Sequence, residues 1–384
     1  MKEDNHIFDM GVLFCFLLLY PISSRIATGV QTLDIFLTLI VVVYSFTNIQ
    51  LSNNFILFIL LFFLLVSFNV IFIQIFGFSV KIEGFFLFSK ILIIMFAFIV
   101  MKNIFQNLKY HQLEKVFYLF LFVTGALCIW CIVQFSLAPL SRVGFPYSSV
   151  EDVDSHVLGS LLSLLFIYFA MALERQSGCK NILISFCLMV IFGAIFTTGS
   201  RSVVLVFLLW SLFVTLRMTL QGKWQNLSVL FLVVGVISIL FVGGAFEYNF
   251  SDLRSLQFSL QSPSEAKRID RLLNVFTGLD QSFYFVGRGL FAAEIYYFDG
   301  VITFLLYNFG VVGVLCFVIA ICYNVKNYLI KGYQHSLFAA LAMSAVVVSE
   351  FFLLSRWIVP VFICYFLLYE QIRYSHEKCF GKHS

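Results

Sequence analysis

Arginines stand at the polar breaks of an otherwise apolar chain. A planar guanidinium in such a place can grip a phosphate or a carboxylate with two parallel hydrogen bonds. Arg201 lies in "TTGSRS", residues 197–202, where one apolar run ends and the next begins. Gly199 lets backbone approach there, the hydroxyls of Thr197, Thr198, Ser200 and Ser202 can donate, and Arg201 supplies charge. At headgroup depth the same arginine could also snorkel and mark a tight turn, since its burial costs about 2.5–3.5 kcal/mol at a span centre and less near the interface. Arg142 lies in "SRVGFPYSSVEDVDSH", residues 141–156, with Gly144 and Pro146 shaping the turn beside it. The three acids of that stretch, Glu151, Asp152 and Asp154, read as a solvated loop. Asp299 stands just before another apolar run, near the depth of Arg201, and a carboxylate there is expensive unless paired or used.

The elements that must position these groups are membrane spans. Of 384 residues, 61% are hydrophobic and 11% charged, and the mean hydropathy is +0.99. That is more apolar surface than a soluble interior can hide, so the chain reads as one all-α polytopic membrane domain over residues 1–384. Apolar runs predict about twelve spans: 7–22, 31–48, 55–76, 84–101, 116–138, 155–173, 181–198, 202–218, 227–245, 300–322, 336–354 and 357–371. The first is read as a retained span, because its flank is mixed in charge and no small-x-small cleavage site follows. The 50 phenylalanines read as lipid-facing bulk. Of nine cysteines, Cys128 and Cys131 have redox or metal spacing, but they lie within a span and read as core; no disulfide is expected. A net charge of +4, dispersed along the chain, gives no footprint for nucleic acid.

Basic residues orient the spans with both termini inside. Thirteen bases then fall on the cytoplasmic side and ten on the outer side; ten of the thirteen are lysine, and eight of the ten are arginine. Any positive charge marks topology, whereas arginine is favoured where an anion must be gripped, so the skew points to an anionic ligand outside. Within the spans the clear charge is Lys90. Residues 246–299 form one long outer loop. Near 266–280 it carries an apolar stripe of Ile269, Leu272, Leu273, Phe276 and Leu279, with Lys267, Asp270, Arg271 and Asn274 opposite and Arg268 at the border. This predicts a helix lying on the membrane or capping the bundle. The "GRG" at 287–289 fits neither a P-loop nor a dinucleotide fingerprint.

In order and spacing, residues 140–320 resemble the Wzy-type O-antigen polymerases and the related O-antigen ligases. "TTGSRS" stands between two spans and is followed by a long outer loop. A loop arginine then precedes "GRGL", a polar pair and "LLYNFGVVGVL". The matching positions are Arg268, Gly287, Gly289, Asp299 with Gly300, Leu306, Gly310 and Gly313. Ligases typically carry histidine and asparagine at the polar pair, so Asp299 and Gly300 favour a polymerase. Arg271 replaces an aromatic residue common after the loop arginine, which leaves Arg268 and Arg271 as alternatives for that position.

The resemblance implies a GT-C-like helical fold in the bacterial inner (cytoplasmic) membrane, with the active site facing the periplasm. It implies a glycosyltransferase that moves a growing glycan from undecaprenyl pyrophosphate onto a new lipid-linked repeat unit. On this expectation Arg201 and Arg268 clamp the donor pyrophosphate and Arg142 and Arg271 assist. Asp299, with Glu294 second, takes the acceptor proton. No metal or cofactor is required. Implied partners are the lipid-linked donor and acceptor, membrane lipid, a Wzz-type chain-length regulator and a flippase. The alternatives are the ligase and a polysaccharide-unit flippase, the latter disfavoured because flippases carry charges through the depth of the bundle.

Overall fold

A computed structural model describes residues 2–23, 25–27, 30–46, 53–75, 82–137, 142–146, 151–175, 179–200, 203–204, 207–208, 212, 219, 222, 284–292, 301–347 and 354–380. In chain order its helices are α1 (Lys2–Leu19), α2 (Thr32–Phe46), α3 (Asn53–Ile75), α4 (Ile82–Asn107) and α5 (Tyr110–Leu137). They are followed by α6 (Glu151–Leu173), α7 (Cys179–Thr197), α8 (Val301–Lys331), α9 (Gln334–Val347) and α10 (Ser355–Phe380). The only strands among the described residues are a short antiparallel pair, Arg25–Ala27 with Val30–Gln31. The chain is therefore an all-α, multi-pass membrane protein. Among the described residues α4, α5, α6, α7 and α8 are long and apolar enough to cross a bilayer.

Each of ten predicted spans has its helix; those at 202–218 and 227–245 fall largely or wholly outside the described residues. Local chemistry sets several helix ends. Asp34 Oδ2 accepts from the N–H of Gln31 at 2.7 Å, a reach-back that opens α2. Gln112 Oε1 does the same for Lys109 N–H at 2.8 Å and opens α5. Gly332, at φ 67°, turns α8 into α9, which pack together as a helical hairpin.

The chain groups into two compact units. The first holds residues 1–34, 107–258 and 359–384. In it α7 packs against both α5 and α6, and α1 against α5. From Val157 to Leu173, α6 is buried all round, as befits a helix apolar on every face. Phe169 meets Phe117 and Phe120 at ring-centroid distances of 5.9 and 5.8 Å, and Phe207 meets Phe166 and Phe192 at 4.9 and 5.6 Å. These rings correct the expectation of phenylalanine as lipid-facing bulk. Phe122 and Phe186 are exposed, but this other set builds the interior. Cys128 and Cys131 are fully buried on α5.

The second unit holds residues 35–106 and 259–358. Its core gathers Val66 of α3, Leu290 and Phe291 of a short 3-10 turn (Leu290–Ala292), and Phe304, Leu306, Tyr307 and Phe309 of α8. Gly84 of α4 lies so close to this turn that a Cβ on it would strike the backbone of Leu290 and Phe291.

Candidate functional site

A helix ends with four carbonyls that have no intrahelical partner, and in lipid each must be satisfied. At the end of α7 all four are. Thr197 Oγ1 donates to Ala194 O at 2.8 Å, and Thr198 Oγ1 to Ile195 O at 2.7 Å. Gly199 N–H donates to Phe196 O at 3.2 Å. The fourth, Thr197 O, accepts from Val143 N–H at 3.2 Å, a residue of the distant 142–146 segment. Gly199 takes φ 63°, the left-handed conformation that stops a helix at little cost for glycine. The next helical stretch starts at once, with Val204 N–H donating to Ser200 O at 3.1 Å. The "TTGS" string is thus a tight break between two helices.

Two threonines leave the expected anion site here. Each hydroxyl has one proton, and those of Thr197 and Thr198 are spent on α7 carbonyls. Gly199 and Arg142 remain, and the structure brings them together. The stem of Arg142 lies over Gly199 so closely that a Cβ there would stand 3.1 Å from Arg142 Cγ. Buried Val143, Phe145 and Pro146 anchor the segment that delivers this half-buried arginine.

A third element closes on the same turn. The backbone is helical from Glu151, so the acids expected in a solvated loop stand in the first turn of α6, where negative charge suits the helix dipole. One turn on, His156 and Gly159 share a face of α6. Gly159 lies against the turn, where a Cβ would meet Thr198 Oγ1 at 2.8 Å and Val203 Cγ1 at 3.1 Å. That close approach carries His156 to Ser200, whose Oγ stands 2.5 Å from His156 Nδ1. Ser200 is fully buried and His156 partly exposed. Nothing in the 141–156 stretch marks His156 for a role, because its partner is 44 residues away.

Of the six residues expected at the site, Arg142 is placed by the structure. Arg201, Arg268, Arg271, Asp299 and Glu294 lie outside the described residues, as does the amphipathic stretch near 266–280. Arg356, for which the sequence suggests no role, is fully buried at the start of α10.

The "GRG" segment serves the backbone. α8 is broken at Gly310, which has φ 63° and ψ −161°. In a regular helix the N–H groups of Val311 and Val312 would donate to Tyr307 O and Asn308 O. Here they donate instead to Tyr284 O and Phe285 O, at 2.8 and 3.3 Å. The carbonyls of Tyr307 and Asn308 accept from Arg288 N–H and Gly289 N–H, at 2.7 and 3.0 Å. Gly287 and Gly289, at φ 71° and 83°, give the loop its shape. Gly287 and Gly310 meet backbone to backbone, with no room for a Cβ on either. A phosphate loop needs those N–H groups for its ligand, and here they are committed. The Arg288 guanidinium lies over the Tyr307 ring, 5.8 Å from its centroid.

No protein-family model, curated protein or solved structure matches the chain.

Proposed function

We propose that the chain is a repeat-unit polymerase of surface polysaccharide, of the O-antigen polymerase kind, acting on about twelve spans of GT-C-like architecture at the outer face of a bacterial inner membrane. The observation that carries this reading is the seating of Arg142 on Gly199, two residues from Arg201 in the chain. A single arginine in "TTGSRS" could be a topology marker. A second one, delivered to the same turn by a separate anchored segment, fits a site for concentrated negative charge.

The substrate in this proposal is a glycan on undecaprenyl pyrophosphate. The acceptor hydroxyl oxygen bonds to the anomeric carbon as the bond from that carbon to the pyrophosphate oxygen breaks, and the electron pair stays with the pyrophosphate. Arg201 and Arg142 stabilise that growing charge from a poorly hydrated site, and Arg268 and Arg271 of the long loop are the further cations assigned to it. Asp299, or Glu294, takes the hydroxyl proton.

The test is deletion of the gene in its host. Lipopolysaccharide capped with a single repeat unit supports the polymerase. Loss of all O-antigen indicates a ligase or flippase and overturns it. Restoring the gene with Arg201→Ala or Arg268→Ala is expected to give protein in the membrane and no polymer; full-length chains from both would sink the clamp. Arg201→Lys is expected to be impaired, because one ammonium cannot replace a two-pronged grip.

A further inference from the structure

We infer that His156 is a further ligand of the pyrophosphate, held ready by Ser200; this rests on the reading of the Gly199 turn as an anion site. Three observations meet there. The Nδ1 of His156 is engaged by the hydroxyl of a fully buried serine, while the ring itself is partly exposed. Ser200 is one residue from Gly199, on which Arg142 lies. The geometry is built, because Gly159, one turn along the same face of α6, removes the side chain that would hold the helix off.

The bond to Nδ1 decides what the other ring nitrogen can do. When the serine O–H donates to Nδ1, the ring proton sits on Nε2, and Nε2–H becomes a donor to an anionic oxygen. When the ring is doubly protonated, Nε2–H donates as well and adds charge. In both states the imidazole complements the arginines: they supply fixed charge, and it supplies one directed hydrogen bond to the oxygen on which charge gathers. Ser200 is then a positioning residue, fixing the ring without touching the ligand. Arg142, the charged group seated on the same turn, lies over Gly199, one residue from Ser200.

Two amides separate this role from a structural one. Glutamine can place its NH2 near the position of Nε2, whereas asparagine can reach the position of Nδ1 and keep the bond to Ser200. Inorganic pyrophosphate and farnesyl pyrophosphate are titrated calorimetrically into the full chain in phosphatidylcholine nanodiscs. His156→Ala and His156→Asn are expected to weaken both probes about 10-fold or more, the scale of one hydrogen bond to a charged group, and His156→Gln to retain most of the affinity. Ser200→Ala is expected to fall between them.

Retention by Asn with loss by Gln would make His156 a strut for Ser200 and overturn the proposal. So would equal affinity, or equal loss, in both amides. Arg142→Ala tests the underlying reading separately: if it binds pyrophosphate like the unaltered chain, the anion site fails whatever His156 does. If phosphatidylglycerol in the disc abolishes binding of both probes, the site takes a phospholipid headgroup and the pyrophosphate assignment falls.

Discussion

Two helix breaks in this molecule, one in each compact unit, are mended by a distant segment in different ways. At the end of α7 the break is closed by two threonine hydroxyls and by the backbone N–H groups of Gly199 and, from a distant segment, Val143, and Arg142, Ser200 and His156 gather around it. At Gly310 of α8 the repair is made by backbone alone, four N–H groups and four carbonyls exchanging partners across a glycine contact. The first leaves ionisable groups at a turn; the second consumes the polar groups it brings. A motif rich in glycine and arginine can therefore be wholly structural, while a plainer turn gathers the ionisable side chains.

The contrast can be broken most sharply at Gly310. Gly310→Ala puts a side chain onto the backbone of Phe285 and forces an L residue into a positive-φ region that alone costs about 1–3 kcal/mol. The expected result is little folded protein on size exclusion in detergent. Normal yield would mean that the backbone exchange is dispensable. Next comes Arg142→Ala: repeat-unit polymerisation is expected to fall about 100-fold, the scale of losing one preorganised charge-stabilising group, with the unfolding temperature hardly changed. A matched loss of stability would make Arg142 a structural residue like those at the other break.

Gly159→Ala sharpens the comparison from the α6 side. Its Cβ would press on Thr198 Oγ1, which is held by Ile195 O, so about 1–3 kcal/mol of stability is expected to be lost in thermal unfolding. Activity should fall with it as His156 is pushed from Ser200. Smallest of all, Arg288→Ala removes a guanidinium from the Tyr307 ring and is expected to cost about 0.5–1 kcal/mol with chain length on a lipopolysaccharide gel unchanged. Loss of polymer in that variant would add "GRG" to the ligand-binding groups.

Hydropathy made the spans legible because lipid imposes length and composition on each of them. It placed helix ends less well. The span expected at 84–101 belongs to a helix running over Ile82–Asn107, and that expected at 300–322 to one over Val301–Lys331, since a helix can continue past the apolar stretch that reveals it. It could not divide the phenylalanines: a helix apolar all round gives no sign of which face meets lipid, and only the packing separates Phe169 from Phe122. Within the site, polarity of the 197–202 string was legible and its use was not. The threonine bonds are local and follow from hydroxyls at a helix end. The His156–Ser200 pair joins residues 44 apart, and the amides of Arg288 and Gly289 meet carbonyls 19 residues further on; neither pairing has a one-dimensional signature.

The break in α8 also bears on the order in which the protein is assembled. Entering the bilayer as one straight rod, residues 307–312 can satisfy their own N–H and C=O groups. After the 284–289 segment docks, the same groups are satisfied by exchange. Neither end point strands a polar group in lipid, so insertion and docking can be separate events. The glycine that permits the later form does not obstruct the earlier one, because its penalty in a straight helix is about 1 kcal/mol. For a polytopic chain emerging segment by segment, the interlock can therefore form at any time after residues 284–312 have entered.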